Sequence, residues 1–134
     1  NGEIIAYNIE SRPVYPLVSK MLDKAFDRLE SKDSPILHSD QGWHYQMKQY
    51  SHDLKKHNIT QSMSRKGNCL DNAVIENFFG LLKSELLYLQ EFESIEHFKQ
   101  ELENHIHYYN DRRNKEKLKG MSPVDYRVHA FKAA

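Results

Sequence analysis

The segment HSDQGWHY, residues 38–45, carries an acidic residue, Asp40, shortly after the apolar run PIL. A short apolar run followed by Asp and Gly is typical of a strand that ends in a turn. Asp40 is therefore either an ordinary turn residue or one half of a metal site. The residue by itself leaves both interpretations open.

Glu76 is a second acid, 36 positions after Asp40, inside a helix predicted over residues 71–89. On a helical wheel, Asn72 and Lys83 project within roughly 40° of Glu76. An acid, an amide and a base among small residues suit a surface on which a large ligand docks. A solvated helix rim is the simpler interpretation, and the pattern alone favours it. The predicted apolar stripe of this helix consists of Ile75, Phe79, Leu82, Leu86 and Leu89.

Composition limits the class of protein. The chain has 134 residues, 39% of them hydrophobic, which suits a single domain over residues 1–134. Its single cysteine, Cys69, excludes an internal disulfide and a cysteine-rich zinc module. No apolar run approaches the roughly 20 residues of a membrane span, and no signal-peptide pattern is present. We therefore expect a cytoplasmic protein without a membrane partner.

The charges are unevenly distributed, although the net charge is zero. One basic run occupies residues 112–119, and such runs are usually solvated faces. A second basic group consists of Lys55, Lys56, Arg65 and Lys66. The pairs His52/His57 and His105/His107 lack the i, i+4 spacing that places two metal ligands on one helix face. We expect these histidines to lie at the surface.

Hydrophobic periodicity predicts strands that alternate with helices, which indicates an α/β domain around a mixed sheet, without a linker. Asn1-Gly2 is a hairpin-turn dipeptide, and EIIAYNIE (3–10) after it is predicted to be a strand. The other predicted elements are a helix over 14–29, a strand over 34–39, a helix over 44–57, a strand over 58–64, a helix capped by Asp71, a helix from the N-cap Ser94 to Tyr109, and a helix that starts at SPVD (122–125).

Three segments together carry a family resemblance. They are HSDQGWHY (38–45), ITQSMSRKGNCLDNAVIENFFGLLKSE (59–85) and YNDRRNKEKLKGMSPVDYR (109–127). In this order they resemble the integrase-like DDE transposases of bacterial insertion sequences, of the orfB type, which are relatives of retroviral integrase. The middle segment is the most specific. A common form of the family's tail has His where Lys115 stands, and the sequence found here is a variant of it.

The resemblance implies a ribonuclease H-like fold, in which helices flank a mixed sheet. It also implies a polynucleotidyl transferase that cuts the ends of a mobile element and joins the 3′-OH to target DNA, with two Mg²⁺ or Mn²⁺ ions held by three carboxylates. Carried over residue by residue, Asp40 is the second catalytic, metal-binding acid, Glu76 is the third, and Lys83 contacts DNA near the cut. The other residues assigned to DNA contact are Asn72, Arg65 and Lys66.

The family's first acid lies on a strand that would precede Asn1, so we expect it outside this chain, which we interpret as a catalytic domain that is incomplete at its N-terminus. A helix-turn-helix DNA-binding region is expected elsewhere, and the family works as multimers on DNA, so a homo-oligomer is expected. With two of the three acids, the chain alone should bind Mg²⁺ weakly and be inactive. Either it is marginally stable, or a neighbouring chain or a rearranged strand fills the place of the missing strand. The alternatives are a non-catalytic remnant that binds DNA or a transposase subunit, and a ribonuclease H-like nuclease that cuts without joining.

Overall fold

The computed structural model describes residues 1–65 and 72–133. Two compact units are present, and each is described by itself. Ile5–Ala73 form the sheet unit, and Asn1–Ile4 together with Val74–Ala134 form the helical unit. The assignment of residues 1–134 to one domain stays a prediction.

The sheet unit contains a two-stranded parallel sheet, in which Ile36 pairs with Thr60 and Ser39 with Met63. Parallel strands need a crossover connection, and α2 lies within it. A short 3₁₀ turn precedes α2, where a continuous helix over 44–57 was predicted. The elements are α1 (Pro16–Phe26), β1 (Ile36–Ser39), the 3₁₀ turn Trp43–Gln46, α2 (Lys48–Lys56) and β2 (Thr60–Met63). The sequence thus predicted both strands within two residues, whereas the fuller mixed sheet stays a prediction.

The core of this unit joins α1 to α2. α1 begins at Pro16, whose fixed φ suits the first helical position. Tyr50 and Leu54 lie one turn apart on α2 and are 1% and 0% exposed. The ring of Tyr45 packs edge-on against Tyr50, with 5.4 Å between the ring centroids. The buried core residues are Val18, Leu22, Tyr50, Leu54 and Ile59.

The prediction of a strand over residues 3–10 is wrong, because no described strand pairs with this segment. The side chain of Asn110 instead takes the place of a neighbouring strand at Ile4. It accepts the Ile4 N–H and donates to the Ile4 carbonyl, both at 2.9 Å. Gly2 has a φ of +76°, and beside it the Asn1 side chain accepts the Glu3 N–H at 3.1 Å. Side chains therefore satisfy backbone groups that a sheet would otherwise pair.

Two helices of the helical unit start where the sequence signals predicted. Ser94 caps one helix by accepting the His97 N–H at 3.0 Å, as predicted. Ser122 caps another by accepting the Asp125 N–H at 3.2 Å, and its hydroxyl donates to the Asp125 carboxylate at 2.7 Å. The elements are α3 (Ala73–Leu82), a π-helical segment (Lys83–Leu87), α4 (Ile95–Asp111), the 3₁₀ turn Glu116–Leu118 and α5 (Pro123–Ala133).

The predicted apolar stripe of α3 is wrong in its phase. Phe78 is buried, with its ring edge-on to Tyr109 at a centroid distance of 5.1 Å. Leu82 and Leu86 continue this buried row as predicted, at 8% and 6% exposure. The three members of the stripe found exposed are Ile75 (50%), Phe79 (51%) and Leu89 (73%). Residues 78, 82 and 86 face inward because Tyr109 of α4 packs against this side of the helix. The predicted cap, Asp71, lies outside the described residues.

The expectation of surface histidines is confirmed for two residues and wrong for two. His52 and His107 are exposed. His57 is half-buried, and its ring stacks on Phe26 at 3.8 Å. His105 is only 8% exposed, and its Nε2 has no hydrogen-bond partner among the described residues. Spacing alone excluded a metal pair but carried no information on burial.

His105 leads to a prediction about pH. Burial lowers the pKa of His105, the Glu85 charge raises it in part, and the Arg113 charge lowers it again. The unfolded chain therefore binds more protons than the folded one once the pH falls below the ordinary histidine pKa of about 6.5. The free energy of unfolding should then fall with decreasing pH, until the pH is below the folded-state pKa as well.

The measurement is urea denaturation of the chain and of His105→Gln at about pH 7.5 and pH 5, on either side of the ordinary histidine pKa. The variant should lose less stability on acidification than the parent. The matched control, His52→Gln, removes an exposed histidine and should keep the parent's pH dependence. Equal pH dependence in all three proteins would contradict the prediction.

None of the helices in the described part of the chain is long and apolar enough to cross a membrane.

Candidate functional site

Asp40 follows the last residue of β1 and holds the turn that ends the strand. Its Oδ1 accepts the Gly42 N–H at 2.7 Å, while the residue remains exposed. A Cβ at residue 42 would lie 2.9 Å from Asp40 Oδ1 and 3.3 Å from the Tyr45 ring, so only glycine fits without displacing the carboxylate. The two interpretations of Asp40 are thus compatible: one oxygen closes the turn, and Oδ2 makes no hydrogen bond to a described residue.

The carboxyl ends of the two strands are tied together around Ser64, which is 4% exposed. Its N–H donates to the Ser39 carbonyl at 2.9 Å, and its carbonyl accepts from Gln41 Nε2 at 3.1 Å. Asn72 Nδ2 donates to Ser64 Oγ at 3.2 Å. This sheet edge therefore positions Asp40 and Asn72 within one unit.

The pKa of Tyr45 reflects the electrostatic environment of this sheet edge. Burial raises the pKa of the Tyr45 hydroxyl, and the negative charge of Asp40 raises it further. Arg65 follows Ser64 directly and is exposed. Lys66, the other basic residue predicted to contact DNA in this loop, lies outside the described residues. Among the described residues that follow β2, Arg65 is thus an exposed cation.

Glu76 and Lys83 lie on the same helix in the helical unit. Glu76 is exposed in the first turn of α3 and makes no ion pair or hydrogen bond with any residue of the described ranges. Lys83 is exposed too and opens the π-helical segment, where its carbonyl accepts the Tyr88 N–H at 2.9 Å. Seven residues of helix are about 10.5 Å of axial rise and nearly two full turns. The acid and the base therefore share a face without pairing directly.

Asp40 and Glu76 offer the hard oxygen donors that suit Mg²⁺ or Mn²⁺. Within residues 1–65 and 72–133, no group of three or more His, Cys, Asp or Glu side chains is arranged to hold a metal ion. Asp40 belongs to the sheet unit and Glu76 to the helical unit. Their predicted convergence on one cation therefore stays a prediction.

An ion pair that the sequence did not indicate joins two segments of the helical unit. Arg113 donates from Nε to both carboxylate oxygens of Glu85, at 2.9 and 3.1 Å, and from Nη2 to Oε1 at 2.7 Å. These hydrogen bonds raise the pKa of Arg113. The partners are 28 positions apart, so no local spacing rule could have found them.

The sequence matches the integrase core domain family in two stretches, residues 1–69 and residues 76–131. These ranges include Asp40 in the first match, and Glu76 and Lys83 in the second. Together they cover most of the chain.

Curated relatives come from several bacteria. A putative transposase, InsK, for insertion sequence element IS150 of Escherichia coli is 55% identical over 131 residues, which are 98% of this chain and 46% of that protein. An uncharacterized transposase-like protein of Haemophilus influenzae is 49% identical over 98% of this chain and 60% of its own length. A probable transposase for element IS1353 of Shigella flexneri is 39% identical over 95% of this chain and 25% of its own.

The chain thus spans between a quarter and three fifths of the length of these relatives. Its two family matches, together with the continuous similarity to transposases, establish that the chain belongs to the integrase core domain family of insertion-sequence transposases.

Proposed function

We propose that this chain is the catalytic part of a transposase with a ribonuclease H-like core, which cuts the ends of a mobile element and joins its 3′-OH to target DNA. The observation that carries the proposal is Asp40. It is an exposed acid at the carboxyl end of a strand in a parallel pair, inside a family match. In α/β sheets this is the edge at which ligands usually bind.

Asp40 and Glu76 are the proposed metal ligands, as the second and third acids of the family. When bound, two Mg²⁺ ions would activate a water or 3′-OH oxygen and stabilise the leaving oxygen. The glycine turn supports this role of Asp40, because Gly42 holds Oδ1 while Oδ2 makes no hydrogen bond to a residue in the described ranges. The carboxylate of Glu76 is exposed and unpaired within the described ranges, which supports the proposed role of Glu76 as a metal ligand.

The transfer exchanges one phosphodiester for another. The bond from phosphorus to the new 3′-oxygen forms as the bond to the old 3′-oxygen breaks, so the number of phosphodiesters is unchanged. Lys83 is proposed to bind a phosphate near the cut, with further contacts from Asn72, Arg65 and Lys66. Asn72 can take part only through its remaining amide groups, since one of its N–H groups already binds Ser64.

The partners in this proposal are the element ends, the target DNA and further copies of the transposase. A helix-turn-helix region that recognises the element ends is proposed to come from another part of the full-length protein or from another subunit. These are proposals for the whole protein, of which the chain is a part.

The test is a strand-transfer assay with the complete transposase that contains this chain. A labelled duplex bearing the element end is incubated with plasmid target in Mg²⁺, in Mn²⁺ or with excess EDTA. Joined product should form with either metal and not with EDTA. Cleavage without any joining would instead assign the protein to the nucleases, and the absence of both would overturn the proposal.

Lys83→Ala should weaken DNA binding and flatten its dependence on salt. Each phosphate contact releases about 0.9 counterion, so the slope of log K against log salt should fall by about that amount. Fluorescence anisotropy with a short duplex at about 50 to 200 mM KCl gives this slope. The matched control is Lys132→Ala, an exposed lysine in the last turn of α5. Identical slopes for the two variants would argue against a role of Lys83 in phosphate binding.

A further inference from the structure

The basic run at residues 112–119 is divided by the structure into paired and unpaired cations. Arg113 is held by the carboxylate of Glu85. Lys115 Nζ lies 2.5 Å from the Tyr109 hydroxyl oxygen and 4.1 Å from the centroid of its ring. Both side chains therefore serve the packing of the helical unit. The usual interpretation of a charge run as a uniform solvated face does not describe this segment.

The other three cations of the run take no part in such contacts within the described ranges. Arg112, Lys117 and Lys119 are exposed, and none of them makes an ion pair or a side-chain hydrogen bond with a residue in the described ranges. Glu116 is the one acid inside the run 112–119, and it too is exposed. The run therefore presents more positive than negative charge to solvent, in a chain whose net charge is zero.

The backbone that carries these cations is held by a closed set of hydrogen bonds. Lys115 N–H donates to the Met121 carbonyl at 3.1 Å, and the Lys115 carbonyl accepts from Leu118 at 2.9 Å and from Gly120 at 3.1 Å. Leu118 is 8% exposed and anchors the turn, whereas the residues on either side of it, Lys117 and Lys119, are exposed. The two lysines are thus displayed on a rigid frame.

Lys119 occupies an unusual backbone position. Its φ is +58°, in the left-handed region, and Gly120 follows with φ +76°. In this region the Cβ of an L-residue crowds the neighbouring carbonyl oxygen, so Gly, and less often Asn or Asp, are the usual residues there. Lys119 therefore lies in a conformation that glycine or asparagine would adopt with less strain.

A groove beside the turn extends the surface along the end of α4. It has a volume of about 480 Å³ and is lined by Asn104, His107, Tyr108, Asp111 and Arg112. Tyr108 is 47% exposed and lines the groove together with Arg112. Aromatic rings beside cations suit nucleic acid, which has flat bases as well as phosphates.

We propose that Arg112, Lys117 and Lys119, which we call the basic turn, form a DNA-phosphate contact separate from Lys83. The inference rests on the proposed function in one respect, the identity of the polyanion as DNA. Lysine ammonium groups on a rigid turn contact phosphates without reading sequence. Removing both lysines should lower the salt slope of DNA binding by about 1.8, at about 0.9 per contact.

The experiment measures binding of the 134-residue chain to a short fluorescent duplex by anisotropy, from about 50 to 200 mM KCl. Lys117→Ala/Lys119→Ala is compared with Lys20→Ala/Lys32→Ala, which removes the same charge. Both control lysines already form ion pairs, at 2.6 Å with Glu10 and 2.8 Å with Glu30. The control should keep the parent's slope, and circular dichroism checks that both variants retain their helices.

Three results would overturn the inference: equal slopes for the two double variants, no binding by the parent at the lowest salt, or equal competition by polyglutamate at the same charge concentration. None of these three results bears on the proposed roles of Asp40 and Glu76, which the strand-transfer assay tests separately. Conversely, the Lys117→Ala/Lys119→Ala variant could show a lowered salt slope while the complete transposase neither cuts nor joins DNA. That outcome would support the basic turn as a phosphate contact and refute the proposed function.

Discussion

Glu76→Gln abolishes metal-dependent joining of DNA in the complete transposase and leaves DNA binding nearly unchanged: this is the largest effect that we expect. Glutamine has the shape of glutamate but lacks the charge that a divalent cation needs. Removing a single hydrogen-bond donor to a transition state already costs a factor of about 10²–10³ in rate, and the loss of a charged metal ligand should cost at least as much. Glu76 is exposed and unpaired within the described ranges, so the substitution should not disturb folding.

The measurement is the joined product per unit time in Mg²⁺, alongside anisotropy for binding. Glu96→Gln is the matched control, since Glu96 is also exposed in the first turn of a helix, α4, and it should join DNA at the parent's rate. If the Glu76 variant joined DNA normally, the role carried over from the family would be wrong.

Asp40→Asn should give the same loss for the same reason. Asparagine keeps the oxygen that accepts the Gly42 N–H, so the turn survives and only the charge is removed. Asp27→Asn, at the exposed C-cap of α1, is its control.

Leu54→Ala is expected to have the largest effect on stability. Leu54 is 0% exposed in the core shared by α1 and α2, and truncating a fully buried leucine costs about 2–5 kcal/mol, because contacts are lost and a cavity remains. A loss of this size is a large share of the stability of a small domain, about 5–15 kcal/mol. Urea denaturation of the chain, followed by circular dichroism, measures it as a shift of the midpoint.

Leu89→Ala removes the same atoms from a side chain that is 73% exposed. It should change the free energy of unfolding by less than about 0.5 kcal/mol, as surface substitutions generally do. The pair also tests the correction of the predicted apolar stripe, because Leu89 was predicted to be in the core. An equal loss for the two variants would mean that Leu89 is buried in solution.

The features that the sequence by itself determined are local ones. The helix starts at Ser94 and Ser122 were predictable because a cap depends on residues within one turn of each other. The turn at Asp40 and Gly42 was predictable for the same reason. The order of β1, α2 and β2 followed from short apolar runs and the turn-forming residues between them. The family was recognisable from three segments whose residues and spacing are specific, and the later matches confirm it.

The tertiary structure alone decided which partners distant residues find. Arg113 binds Glu85 from 28 positions away, and this pairing separates it from the exposed cations beside it. Phe78 rather than Phe79 faces inward, because Tyr109 of another helix packs against it. Residues 3–10 form no strand, because a strand needs a neighbour and Asn110 satisfies the backbone of Ile4 instead. Each outcome depends on a contact between segments far apart in the chain, which no local pattern encodes.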